Sequence, residues 1–400
     1  MSTRAAIRHS RNTLPAFAAQ GVFWGCFGAY APVLKAGIGA SDAQFGYVLL
    51  MSAIGAVTAM WLAPLFSARF GRYAMALAAI ILAIAFQLPM QTDQVWVFGA
   101  MMFFVGAGSG LLDVVMNAHL SLIESRTRTS LMNLNHAGFS FAYAGAAIIA
   151  GLSREASLSP AVVFAGFGAA VVICAASMIE PVMPEGGEVE EQRDTTKLPT
   201  AVIWGGMIIF AAFLTENATE GWSALHIERT LGGGASEGAL GPAMLGLTMA
   251  FGRLGGQLVS ARFPEARVLF YAALLSASGA FLASIAPSPL VANIGFAILG
   301  LGVSVIAPMA FVLVGRRVTD QDRAKAISRA AVIGYLGFFF GPPIMGGVAE
   351  LAGLRWSFVF VAAVLGAVPL FLWMLRRTER VSSTGLQNLQ AQTEYRGPPH

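Results

Sequence analysis

The sequence predicts an all-α membrane protein: twelve transmembrane helices in two six-helix, pseudo-symmetric bundles. Three observations carry this. First, the 400-residue chain is 56% hydrophobic and only 12% charged, where a soluble protein carries roughly 25% charged residues. The apolar surplus calls for lipid as solvent. Second, the apolar residues fall into runs long enough for helices of about 20 residues, the length that crosses a hydrocarbon core of roughly 30 Å. These runs are too long for barrel strands. Third, the chain repeats itself. Ser67-Ala68-Arg69-Phe70 returns as Ser260-Ala261-Arg262-Phe263, 193 positions later. Gly106 and Gly108 recur as Gly300 and Gly302, and Gly145 and Gly151 as Gly341 and Gly347. One membrane unit written twice is the pattern of proteins in which two similar bundles rock about a central site.

Taken in order, the apolar runs give spans at 14–34, 43–66, 73–90, 95–120, 130–152, 160–179, 200–222, 239–261, 267–287, 290–314, 325–348 and 354–375. Residues 1–179 form the first bundle and 200–376 the second. Between them, 180–199 is hydrophilic, with Glu180, Glu185, Glu188, Glu190, Glu191 and Asp194 beside Pro181 and Pro184, and reads as a cytoplasmic linker. The polar tail 377–400 is expected to be disordered. The first 13 residues are basic and lack acids; no small-residue cleavage site follows, so they read as the basic flank of span 1. Of the connections on the other face, only 223–238 is long, and Gly232-Gly233-Gly234 within it reads as a mobile loop. Gly341-Pro342-Pro343 is expected to break span 11, and Pro308 span 10, because proline removes a donor and kinks a helix. Gly21, Gly25 and Gly28 share one face of span 1, which suits close helix approach in lipid.

The net charge of +4 is unevenly placed. With these spans, twenty of the 25 Lys and Arg fall on one side of the membrane, and only Lys35, Arg154, Arg229 and Arg355 on the other. The basic side marks the cytoplasm, so both termini are expected there. Basic residues spread over many short loops exclude nucleic acid as the partner. Cys26 and Cys174 lack metal-type spacing and read as small hydrophobes. No phosphate-binding Gly-Lys-Ser/Thr loop and no catalytic set occurs, so neither an ATP-driven pump nor an enzyme is expected. Neither a cofactor nor a metal is implied.

A few polar residues interrupt the spans, and these carry the chemistry. Asp113 lies deep in span 4 among Leu111, Leu112, Val114 and Val115. A charge at mid-helix costs roughly 3 kcal/mol to insert, and desolvation penalises its charged form. The group is therefore expected to take and release a proton. Asn117 sits one turn along on the same face and Glu124 three turns along, at the cytoplasmic end. The competing reading is a structural aspartate bonded to a neighbouring helix. Glu216 and Asn217 lie inside span 7, with Glu220 one turn outward; two acids four apart repel when both ionise, so one is readily protonated. Trp222 reads equally as a site residue or as an interfacial belt aromatic. Arg253 is the one base inside a span. Three roles fit it, in order: an ion pair to an acid of the other half, snorkelling to the surface, or solute contact. Gln20, Trp24 and Phe27 share a face of span 1 and fit either a ligand or a core. His136, Ser140 and Tyr143 align in span 5, where His136 either titrates or donates a hydrogen bond. His119 points away from the Asp113 face.

Over nearly its full length the chain resembles a major facilitator superfamily transporter. Ser67-Ala68-Arg69-Phe70-Gly71-Arg72 resembles the signature loop between spans 2 and 3, with Ala68 and Pro64 departing from the usual acid and glycine. Gly108-Ser109-Gly110-Leu111-Leu112-Asp113-Val114-Val115-Met116-Asn117 resembles the fucose-permease-like branch, which has a span 4 acid followed four residues later by Asn. Glu216 through Trp222-Ser223-Ala224-Leu225, and Gly252-Arg253-Leu254-Gly255-Gly256, are similar to a bacterial subgroup of it. That branch's span 1 acid has no counterpart between Leu14 and Leu34. The resemblance implies a proton-coupled symporter of a small polar solute, sugar-like or an organic acid, in the bacterial inner membrane, working as a monomer. Asp113 and Glu216 are then the proton-coupling residues. Gln20, Trp24, Asn117, His136, Tyr143 and Asn217 contact solute. Arg69, Arg72, Glu124, Arg253 and Arg262 act as gates. Two alternatives are a proton-driven efflux antiporter of amphiphilic compounds and a non-transporting receptor or assembly protein on the same scaffold.

Overall fold

The computed structural model describes residues 3–180, 200–260, 262–319 and 321–377, with the side chains of 3, 4 and 257–260 outside that description. The linker 181–199 and the tail from 378 lie outside it. Among the described residues the chain is helical throughout: α1 (Thr3–His9), α2 (Thr13–Gly37), α3 (Asp42–Phe70), α4 (Ala74–Ala85), α5 (Val95–Thr127), α6 (Met132–Glu155), α7 (Pro160–Cys174), α8 (Thr200–Leu225), α9 (Ala235–Ser260), α10 (Glu265–Ile285), α11 (Pro289–Val303), α12 (Ile306–Gly315), α13 (Arg323–Ala352) and α14 (Leu354–Gly366). Ten stretches are long and apolar enough to cross a membrane. One of them, Asp42–Gln91, turns back on itself. Gly71 closes α3 at φ +49°, a conformation open to glycine, so this stretch makes two crossings. α9 has the length of a crossing, at 26 residues, but carries Glu237, Arg253 and Gln257. The total is the expected twelve crossings, with α11 and α12 forming one, and α1 serving as a flank.

Two expectations about helix breaks are corrected. α13 runs unbroken for 30 residues through Pro342 and Pro343. In span 10 the interruption falls at Ser304–Val305, and Pro308 lies in the first turn of α12, where its missing N–H is not needed. The 223–238 connection also shrinks. α8 passes into a π-helical turn, His226–Thr230, and only 232–234 are irregular.

Glycine faces bring backbones together. A Cβ at Gly21 would strike the Phe139 carbonyl of α6, and one at Gly25 the Tyr143 carbonyl. Gly55 faces Phe103 and Gly106 faces Ser52, locking α3 against α5. The repeat of Gly106, Gly300, meets Leu245 of α9 in the same way. Between the two halves of the chain, α3 packs on α13, α6 on α9, and α2 on α8 and α9. The outer faces are apolar, with Trp61, Leu65, Phe104, Val332 and Phe340 exposed.

Candidate functional site

Asp113 lies on α5, which packs against α2 and α3. The Asn117 side chain, one helical turn along, donates to the Asp113 carboxylate at 3.1 Å and to its carbonyl at 2.8 Å. Gln20 of α2 approaches the same carboxylate. Tyr335 of α13, in the other half of the chain, lies within electrostatic range of it. Asp113 and Asn117 nevertheless keep accessible surface. A side chain flanked by helices can do so only where a water-sized gap runs beside it.

A second set of polar residues lies on α8. Phe213, Glu216, Asn217 and Glu220 recur at helical spacing and are all partly accessible, while Ala212, Thr215, Ala218 and Thr219 between them are buried. Phe213 lies 5.6 Å from the ring of Tyr335 and 4.9 Å from that of Phe338, an aromatic cluster one turn from Glu216. Arg253 of α9 reaches this set. It pairs with Glu216 at 3.1 Å and donates to the Ser140 hydroxyl at 2.5 Å and the His136 carbonyl at 3.4 Å. The expected ion pair is thus present, but with an acid of its own half. The link to the first half runs through neutral oxygens of α6. Tyr143 is buried between α2, α6 and α9, near Glu220 and Glu216, and its hydroxyl has no partner.

Other candidates sit elsewhere. The Trp24 indole N–H donates to Ser109 Oγ at 3.0 Å, and its ring packs edge-on to Phe27 and Phe86, a core position between α2 and α5. Trp222 is fully buried, 5.7 Å from Phe45 of α3, and does not form a belt at the surface. The His136 ring meets Phe17 edge-on. Of the gate candidates other than Arg253, Arg69 and Arg72 are exposed over the rings of Phe70 and Tyr73, and Arg262 is exposed. Glu124 accepts from the backbone N–H groups of Leu131 and Met132 at the start of α6. Among the described residues no ion pair joins it to Arg69, Arg72 or Arg262. His119 meets Glu180 at 3.0 Å, away from Asp113.

The sequence model of the Major Facilitator Superfamily matches residues 13–263 and 206–393. The chain belongs to this superfamily. It is 27% identical over 366 residues to an uncharacterized MFS-type transporter of Yersinia pestis, covering 91% of this chain and 95% of that protein. It is 26% identical over 335 residues to the membrane protein MosC of Rhizobium meliloti, covering 83% and 82%. Among solved structures, a bacterial homolog of the human lysosomal transporter Spinster, inward-facing and occupied, superposes with a TM-score of 0.72 at 18% identity, covering 94% of this chain and 98% of that one. A D-xylose-proton symporter gives 0.72 at 17%, covering 93% and 98%. At these identities the structural likeness is one of fold. The chain is a multi-pass membrane transporter of the superfamily, and not an enzyme.

In this superfamily member the structure also shows ion pairs between the halves, arranged as a latch would be, that sequence reading missed. They lie at the end of the bundle that carries Gly39. Arg154 of α6 forms a fork with Glu228, at 2.6 and 2.7 Å. Arg229, the next residue, pairs with Asp42 of α3, which Lys35 also reaches at 3.0 Å. The π-helical turn presents the adjacent Glu228 and Arg229 to two different helices of the first half. Glu350, at the end of α13, accepts the Asp42 N–H at 2.8 Å and so caps the N-terminus of α3 from the other half. Three of the four basic residues set apart by the charge count, Lys35, Arg154 and Arg229, belong to this set of pairs. That isolation was the one signal available in the sequence.

Proposed function

We propose that the chain is a proton-coupled secondary transporter of a small polar solute, working by alternating access, with Asp113 as the proton carrier. The observation that supports this most is the placement of Asp113: a carboxylate in the middle of an apolar helix, beside Asn117 and Gln20 and within electrostatic range of Tyr335 of the other half. Taking or losing a proton there changes the cost of closing the second half over the first. Residues 1–179 and 200–376 are the two rocking units, joined by 180–199. Glu216 is the second protonation candidate, with its charge held by Arg253. Asn117, Gln20 and Asn217 are the polar solute contacts, while the indole N–H of the partly accessible Trp24 is already taken up by Ser109. The excess of Lys and Arg at the Arg69 end supports a cytoplasmic location for that end and for both termini, in a bacterial inner membrane. On that orientation the ion pairs at the Gly39 end hold the outside closed. The working unit is a monomer.

The test is accumulation in proteoliposomes under an imposed pH gradient, after thermal-shift screening against sugars, organic acids and amphiphilic drugs supplies a solute. Wild type accumulates solute, while Asp113→Asn only equilibrates it. Accumulation by Asp113→Asn equal to wild type sinks the assignment. One observation favours the second reading, proton-driven efflux of amphiphilic compounds: the Phe213, Tyr335 and Phe338 cluster beside the acids. Reversing the gradient separates the two directions. Absence of solute movement in either direction leaves the scaffold-receptor reading.

A further inference from the structure

The central residues carry an imbalance of charge. Three acids within the spans keep accessible surface: Asp113 of α5, and Glu216 and Glu220 of α8. One base faces them, Arg253, and both of its terminal nitrogens are committed, one to Glu216 and the other to Ser140 and the His136 carbonyl. Among the described residues no ion pair joins Asp113 or Glu220 to a base, so each carries an unopposed charge once it has released its proton. The polar groups beside those acids point to the same chemistry. Gln20 is 91% buried at Asp113, and its Oε1, an acceptor only, has no partner. The Tyr143 hydroxyl, also unpartnered, lies near Glu220. Buried acceptors left open cost stability unless a ligand fills them. An ammonium group, with three donors and no acceptor, answers both the charge and the hydrogen-bond pattern.

The rings complete the match. Tyr335 lies within electrostatic range of Asp113, and Phe213 and Phe338 lie beside it, with ring centres 4.9 to 5.9 Å apart. Aromatic faces attract cations within about 6 Å and also cover apolar carbon. In the deprotonated form of the site a neutral sugar would leave the negative charge unanswered, and an organic acid would add to it.

We infer that the central site takes a small solute bearing a protonated amine, with its ammonium at Asp113 and Gln20 and its organic part against the Phe213, Tyr335 and Phe338 rings. This rests on the transport reading above and narrows its solute class. It excludes the organic acid of the sequence expectation.

Site-directed thiol labelling tests it on the full-length protein in proteoliposomes. In a Cys174→Ser background, Asn217→Cys and, separately, Tyr335→Cys place a reporter thiol at the gap. Each is labelled with a trimethylammonium methanethiosulfonate and with a sulfonate methanethiosulfonate of similar size. The cationic reagent is expected to react about tenfold faster or more, as counter-ions concentrate in a cleft of one sign. That ratio falls towards the value for a free thiol when Asp113→Asn and Glu220→Gln are added. If the reporters react but the sulfonate reagent is as fast or faster, the amine inference is overturned and the transport reading stands. If neither reporter reacts with either reagent, there is no water-filled centre, and both fall together.

Discussion

Arg154 and Glu228 meet as a two-pronged fork across the halves of the chain, with both N–O distances under 2.8 Å and both side chains largely buried. Removing one charge from such a pair strands the other, at a cost on the order of 3 kcal/mol. Glu228→Gln is therefore expected to weaken this conformation and populate one open at the Gly39 end. Spin labels at Leu158 and Leu290, both exposed at that end, should show a longer distance population. An unchanged distribution would mean that the pair is not a latch.

Arg253 joins the halves from the inside, and its fork geometry is what allows it to hold Glu216 and the α6 oxygens at once. Ser140→Ala removes one charge-assisted hydrogen bond, worth about 2 kcal/mol, and should lower the thermal midpoint while speeding exchange between conformations. Arg253→Lys should not restore wild-type behaviour, since one ammonium does not reproduce the planar fork. Full rescue by lysine would reduce Arg253 to a point charge.

Gly55 and Gly145 offer a matched pair for packing. A methyl at Gly55 falls on the Phe103 carbonyl, whereas one at Gly145 meets nothing within 4 Å. Gly55→Ala should cost about 1–3 kcal/mol through overpacking, and Gly145→Ala far less. Thermal unfolding of the purified protein compares them, and equal losses would remove the close α3–α5 approach as a source of stability.

Trp24 divides the core reading from the ligand reading. Trp24→Phe loses the bond to Ser109 and should cost about 1 kcal/mol of stability with solute affinity unchanged. A tenfold drop in affinity at constant thermal midpoint would return Trp24 to the solute.

Twelve crossings were legible because lipid demands long apolar runs, and because the Arg69 and Arg262 loops repeat. Asp113 and Asn117 were legible because four residues are one helical turn, whatever surrounds the helix. Trp24 and Trp222 were not, since periodicity gives a face but not which neighbour covers it. The pairs Arg229–Asp42 and Arg154–Glu228 join residues 187 and 74 positions apart. No local pattern encodes such pairings; only the docking of the halves does. Pro342 and Pro343 misled for the opposite reason: a local rule for helix breaking was overridden by packing, with α3 pressed against that stretch at Gly46.

Asp42 answers to two cations, Arg229 from the far half and Lys35 from its own. When the halves part and Arg229 leaves, Lys35 stays behind, so the carboxylate is never stranded without a countercharge. Arg154 has a smaller reserve of the same kind in the Ala29 carbonyl and the Tyr30 ring. A parting of the halves at this end would thus leave Asp42 and Arg154 with part of their compensation in place, supplied by residues of their own half.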